Sequence, residues 1–245
     1  MKGEKWALIT GAAGGLGREL AYHFAREGYH LFLTTGSQKG QLIALSEDLK
    51  KDYSISVKLN VGDLSMDETI LTIYEELMRS HIILDTLILN AAFDHDALLD
   101  DMTRSSFLKV LDVNLVSPFL LIKKLKPCLC ETSNIILISS TNGIDTLYKE
   151  SLEYDASKAG LINLGHNLAS ILAPVRVNTI CPGWIDTPMN ATLNDEFKTA
   201  EINKILLKRF AHPKEVAEVA VFLASKKANY INDAVIRVDG GINRE

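Results

Sequence analysis

Short apolar runs alternate with amphipathic helical patterns along nearly the whole chain, and this alternation limits the possible folds more than any other feature. The apolar runs are Trp6–Thr10, Tyr29–Thr34, Ser54–Leu59, Asp85–Asn90, Asn134–Ser139, Val175–Cys181 and Val235–Val238. Between them, helical patterns span Leu16–Glu27, Gln41–Lys51, Ser65–Arg79, a long stretch from about Thr103 that is interrupted at Pro118, and Tyr154–Leu172. A helical excursion at Glu196–Leu207 and a helix opened by Pro213 follow, with Glu215 in the first turn of the latter. Ser65 with Glu68 reads as a capping box. Asn134–Ser139 is apolar on both faces, as a buried parallel strand requires. Strands that alternate with helices demand a parallel sheet covered on both sides, and right-handed crossovers make it doubly wound. No linker, repeat or low-complexity segment breaks the pattern, so the expectation is one α/β domain over residues 1–245, with about seven strands.

Sheets of this kind bind ligands at the carboxyl ends of their strands, near the point where strand order reverses. The first strand ends in Thr10-Gly11-Ala12-Ala13-Gly14-Gly15-Leu16-Gly17 and leads straight into a helix. Glycines there permit a tight turn and close approach of a pyrophosphate, whose charge then rests on the helix N-terminus. The second strand ends in Thr34-Thr35-Gly36-Ser37-Gln38-Lys39, with no acid to take a ribose 2′-hydroxyl. A hydroxyl and a lysine suit a 2′-phosphate, so NADP(H) is favoured and NAD(H) is the alternative. Asp63-Leu64, Asn90-Ala91-Ala92, Ser139-Ser140 and Pro182-Gly183 fall at the ends of later strands.

Tyr154 and Lys158 lie one turn apart on one face of a helical stretch. An ammonium beside a phenol lowers the phenol's pKa and fits it for proton transfer near neutral pH. The pair alone also fits an ordinary amphipathic helix. What sets it apart is the convergence of the glycine turn, Ser140 and Pro182 on the same edge of the sheet.

A net charge of −5 and the absence of a basic run argue against a nucleic-acid surface. The chain start is too short and too charged for a signal peptide, and no apolar run reaches membrane-spanning length. Three cysteines, Cys128, Cys130 and Cys181, leave one unpaired and point to a reducing cytoplasm. The scattered histidines offer no ligand spacing, so no metal is expected.

These motifs together resemble the short-chain dehydrogenase/reductase family over nearly the whole chain. Thr10-Gly11-x-x-x-Gly15-x-Gly17 is similar to that family's cofactor loop, Asp63-Leu64 to its adenine contact, and Ser140, Tyr154, Lys158 and Asn114 to its catalytic set. Pro182-Gly183, with Ile185 and Thr187-Pro188-Met189, resembles the segment that closes over nicotinamide. Arg209–Leu223 and Asp239-Gly240-Gly241 resemble the C-terminal signature of the shorter, tetramer-forming members. Asn90–Leu99 looks most like the 3-oxoacyl-[acyl-carrier-protein] reductase branch, although Leu89-Asn90-Ala91-Ala92 replaces the family's Asn-Asn-Ala-Gly and Asn232 replaces a frequent glycine.

The resemblance implies a Rossmann-type fold, a homotetramer, and hydride exchange between nicotinamide and a ketone or secondary alcohol, free or carrier-linked. Tyr154 would be the proton donor, and Lys158 would tune it and hold the nicotinamide ribose. Ser140 would bind the carbonyl oxygen, and Asn114 would hold a water that passes protons to Lys158. Charge in the loop Ile144–Leu152 suggests a second reading, a sugar or polyol dehydrogenase. A third is a dinucleotide-binding module without turnover. Substrate choice would rest with Asp145–Glu153 and Met189–Leu207.

Overall fold

The computed structural model describes residues 4–188, 190 and 193–242; Met189, expected near the nicotinamide, lies outside the described residues. Seven parallel strands form one sheet in the order β3-β2-β1-β4-β5-β6-β7. They are β1 (Lys5–Ile9), β2 (Tyr29–Thr35), β3 (Val57–Val61), β4 (Leu84–Leu89), β5 (Leu129–Ile138), β6 (Arg176–Pro182) and β7 (Val235–Val238). The chain winds outward from β1 to β3, then returns to pair β4 with β1. The crevice at that reversal is where a doubly wound sheet takes its ligand.

Helices α1 (Gly15–Arg26), α2 (Lys39–Tyr53) and α8 (Pro213–Ala224) cover one face. Helices α3 (Asp67–Arg79), α4 (Arg104–Leu111), α5 (Ser117–Leu125) and α6 (Leu152–Ile171) cover the other, and α7 (Asp195–Lys204) stands after β6. Alternation along β1 divides the core. Ala7 and Ile9 join Leu20, Phe24, Leu45 and Val216 on one side. Trp6 and Leu8 join Ile73, Leu121, Leu125 and Leu161 on the other. Each fully buried side chain of this size contributes about 1.5–3 kcal/mol, so both faces hold the strand ends firmly in place.

Four local expectations need correction. The Ser65–Glu68 capping box does not form: Met66 is the N-cap residue without a side-chain bond, and the Ser65 backbone N–H and hydroxyl both donate to Asp63 Oδ1, at 2.9 and 2.8 Å. The third strand begins later than Ser54, because Ser54 takes a left-handed φ of 53° at the end of α2. The long helix is interrupted before Pro118, by a π-helical turn at Asp112–Val116 with Asn114 at its centre. Pro118 itself lies in the first turn of α5, where its missing N–H costs nothing. Finally, the stretch Arg104–Cys128 is long and apolar enough to cross a bilayer, with a mean hydropathy of 1.5 in its most apolar window. Here it packs as a core helix, burying Val110, Leu121, Ile122, Leu125 and Cys128 against the sheet side.

Candidate active site

A cavity of about 1170 Å³ runs along the carboxyl ends of the strands, from Gly36–Gln38 and Asp63-Leu64 past the glycine turn to Ser140, Tyr154 and Lys158. Gly11, Gly14, Gly15, Leu16, Gly17, Thr35, Ser37, Asn90, Ala91, Ala92, Pro182, Gly183, Ile185 and Thr187 all line it. Two residues expected there from the glycine turn do not. Ala13 is buried in the core, and Thr10 acts from behind, its Oγ1 accepting from the backbone N–H groups of Asn90 and Ala91 at 2.9 Å each. Asn90 Nδ2 returns bonds to the carbonyls of Thr10 and Gly11 at 3.0 and 3.2 Å. The two loops that flank the reversal point are thereby stitched together. Lys39, expected beside a 2′-phosphate, is the first residue of α2 and is not part of the cavity wall; Ser37 and Gln38 are.

The glycine turn meets the demands of a dinucleotide. Gly11 has φ +65°, and a Cβ there would stand 2.9 Å from the Ala91 Cα. A Cβ on Gly17 would lie 2.1 Å from the Gly11 carbonyl oxygen. Gly14 caps α1 without any side-chain bond, so the first N–H groups of the helix remain available to a phosphate. The residues present therefore fit a dinucleotide.

At the other end, Ser140 follows β5 and caps a short helical turn, Thr141–Gly143. Tyr154 and Lys158 enter from α6. Lys158 is 2% exposed, and its Nζ donates to the Ile138 carbonyl at 3.0 Å and stands 5.3 Å from the centre of the Tyr154 ring. The Lys158 backbone is fixed too. Its carbonyl accepts from Ser139 Oγ at 2.9 Å, and Gly143 packs so closely that a Cβ would lie 2.6 Å from the Lys158 carbonyl carbon.

The electrostatics correct one expectation. The net shift of the Tyr154 phenol is upward. Burial pushes the phenol well above its ordinary range, the Asp94 charge pushes in the same direction, and the nearby Ser140 hydroxyl only partly offsets them. Burial also lowers Lys158 to about 8. Asn114 is tied to two elements at once. Its Oδ1 accepts from the Phe93 N–H at 2.8 Å, and its Nδ2 donates to the Phe93 carbonyl at 2.8 Å and to Ser157 Oγ at 3.0 Å. With these bonds Asn114 pins the loop after β4 to α6.

Several residues at the cavity mouth had no motif to announce them. Tyr148 Oη donates to Glu201 Oε2 at 2.6 Å, and Trp184 Nε1 donates to Tyr148 Oη at 2.8 Å and to Glu201 Oε2 at 3.1 Å. Lys204 Nζ donates to Glu201 Oε1 at 2.6 Å. Burial opposes ionisation of Glu201, but the donors outweigh it and hold its pKa below the usual range. Phe197 and Phe210 pack on Trp184 at 5.7 and 5.5 Å between ring centres. One buried carboxylate thus ties together α7, the loop after β5 and the loop after β6. Asp145 in the charged loop pairs with Arg237 of β7 at 2.7 Å, and Arg237 also reaches Asp239 at 2.8 Å. Asp94 opens onto the cavity and has its pKa pushed up to about 6, by crowding of the walls and by the like charges of Asp96, Glu153 and Asp155.

Comparison with known proteins agrees with this geometry. Residues 11–243 match a family model described as enoyl-(acyl carrier protein) reductase. The chain is 32% identical over 247 residues to the 3-oxoacyl-[acyl-carrier-protein] reductase FabG of Staphylococcus aureus, covering 99% of each chain. It is similar to a crystal structure of a short-chain dehydrogenase/reductase, glucose/ribitol dehydrogenase, from Brucella melitensis, with a TM-score of 0.91 and 28% identity over 98% of this chain and 97% of that one. It also resembles L-sorbose reductase from Gluconobacter frateurii complexed with NADPH and L-sorbose, with a TM-score of 0.89 and 26% identity over 99% of this chain and 97% of that one.

Proposed function

The chain belongs to the short-chain dehydrogenase/reductase family of NAD(P)-dependent oxidoreductases, and from that premise we propose that it is an NADP(H)-dependent reductase of a 3-oxo or related small ketone. The observation that carries this reading is the meeting of Ser140, Tyr154 and Lys158 on the floor of one cleft whose far end is the glycine turn. Bound NADP(H) would supply the hydride. Tyr154, protonated at neutral pH as an ordinary phenol is and the more so for its burial, gives its proton to the carbonyl oxygen as negative charge develops there. Ser140 hydrogen-bonds the same oxygen, and the Lys158 ammonium offsets the charge left on the phenol. The absence of an acid after β2, with Ser37 on the cavity wall, supports NADP(H) over NAD(H).

A second reading, a sugar or polyol dehydrogenase, is favoured by Asp94, Asp96 and Glu150 at the mouth, whose carboxylates accept from hydroxyl groups. The assay that separates the two is NADPH oxidation with ethyl acetoacetate, hydroxyacetone and L-sorbose as carbonyl substrates. Preference for ethyl acetoacetate supports the first reading, and preference for the hydroxy ketones supports the second. Tight NADPH binding without turnover of any ketone would point to a binding module instead.

We further propose a homotetramer. Val116 and Phe119 lie exposed beside Leu115, Gly160 and Leu164, forming an apolar groove between the π-turn, α5 and α6 that a second copy would cover. Light scattering that gives a mass near the 27.1 kDa of one chain at micromolar protein would contradict it.

A further inference from the structure

Ser140 is not free to turn. Its Oγ donates to Asn142 Oδ1 at 3.1 Å and accepts from the Asn142 N–H at 3.2 Å. The other end of the Asn142 amide is committed as well, with Nδ2 donating to Asp155 Oδ1 at 2.7 Å and to Ser151 Oγ at 3.4 Å. Ser151 Oγ in turn donates to Asp155 Oδ1 at 2.9 Å. The chemistry of these groups gives the chain a direction. A carboxylate only accepts, so Asp155 forces the NH₂ end of Asn142 toward itself and the carbonyl end toward Ser140. A carbonyl also only accepts, so the bond between the two side chains must carry the proton of Ser140. The rotamer of Ser140 and the direction of its proton are thus set by a residue on α6 that does not itself line the cavity, immediately after Tyr154.

Neither Asn142 nor Asp155 figures in the reaction described above, and the sequence reading passed over both. We propose that Asp155 and Asn142 are positioning residues of the hydride-transfer reaction, acting through Ser140: they hold its oxygen facing the cleft beside Tyr154. This rests on the reductase reading of the same site. When the substrate carbonyl arrives, Ser140 exchanges its bond to Asn142 for one to the carbonyl oxygen, so the resting hydrogen bond is a competitor of fixed geometry. Loss of Asn142 frees the hydroxyl to sample other rotamers, and part of the rate is lost with it.

The test is a double-mutant cycle, read as kcat with NADPH and whichever ketone of the panel above turns over fastest. Asn142→Ala is made in the parent and in Ser140→Ala, and NADPH affinity is measured for all four proteins. Positioning through Ser140 predicts that Asn142→Ala lowers kcat about tenfold in the parent and less than about twofold once Ser140 is gone, at constant NADPH affinity. Asp155→Asn, nearly the same shape but no longer forcing the amide's direction, should follow the same pattern and serves if Asn142→Ala does not fold. An equal loss in both backgrounds, or no loss in either, overturns the proposal. A Ser140→Ala protein as active as the parent overturns it together with the role of Ser140. Retained turnover in Tyr154→Phe would overturn the reductase reading separately.

Discussion

The two ends of the cleft are built in opposite ways. At the cofactor end the wall is backbone: Gly11, Gly14, Gly15 and Gly17 leave space, and Thr10 and Asn90 use their side chains only to bind one loop to the other. At the Tyr154 end the outer wall is side chains from α7 and two loops, tied to one another by Glu201, Tyr148, Trp184 and Lys204. The first construction leaves no room for an added atom at Gly11 or Gly17. The second tolerates changes of shape but depends on each polar partner being present, because a buried carboxylate without donors is costly. The difference suggests that cofactor binding is a property of the fold, whereas substrate choice belongs to a network that could be exchanged without disturbing it.

Substitutions at each end should break that comparison if it is wrong. Among the substitutions that compare the two ends, the largest effect is expected from Gly17→Ala. The added Cβ would meet the Gly11 carbonyl oxygen at 2.1 Å, so NADPH affinity should fall roughly a hundredfold, measured by fluorescence titration. Next is Glu201→Gln, which removes the charge that Lys204 pairs with and should raise KM for the ketone about tenfold while NADPH affinity stays unchanged. If either variant affects both ligands equally, the two ends are not independent. Ser37→Asp is expected to act more mildly, lowering the preference for NADPH over NADH about fivefold by repelling a 2′-phosphate.

The smallest effect sharpens the comparison through pH. Asp94 is raised to about 6 in the folded chain, so between its ordinary value and 6 the native state binds more protons than the unfolded one. Stability contributed at this site is therefore greatest in acid and is lost as pH rises through that window. Asp94→Asn should melt slightly higher than the parent at pH 7.5, and the gain should vanish below about pH 4. Because the carboxyl opens onto the cavity, solvent screening keeps the gain small. A gain that persisted in acid would place its cause elsewhere.

How much of this the sequence revealed follows the same division. The sheet was legible because β1 to β7 are apolar runs closed by glycine or polar turns, and the helices because their apolar faces repeat. Tyr154 and Lys158 were legible through their spacing on one helical face, and Ser140 through its place after a strand end. The environment of Tyr154 was not, since the sign of its pKa shift depends on burial and on Asp94, a residue 60 positions away that only folding brings near. Glu201 and Tyr148 were unreadable for the same reason: they are one of many acids and one of several tyrosines until α7 folds over the loop after β5. The Ser65–Glu68 pattern misled because Asp63 competes for the same serine and wins at shorter range.

The central claim is that Tyr154 supplies the proton and that its hydroxyl contributes little to cofactor affinity. Tyr154→Phe keeps the ring and removes only the hydroxyl, so kcat and NADPH affinity measured on the same preparation separate the two roles. The account predicts that kcat falls by about 10² to 10⁴, the usual worth of a general acid, while NADPH affinity stays within about twofold. A variant that keeps more than about a tenth of the parent rate on the best ketone would contradict it.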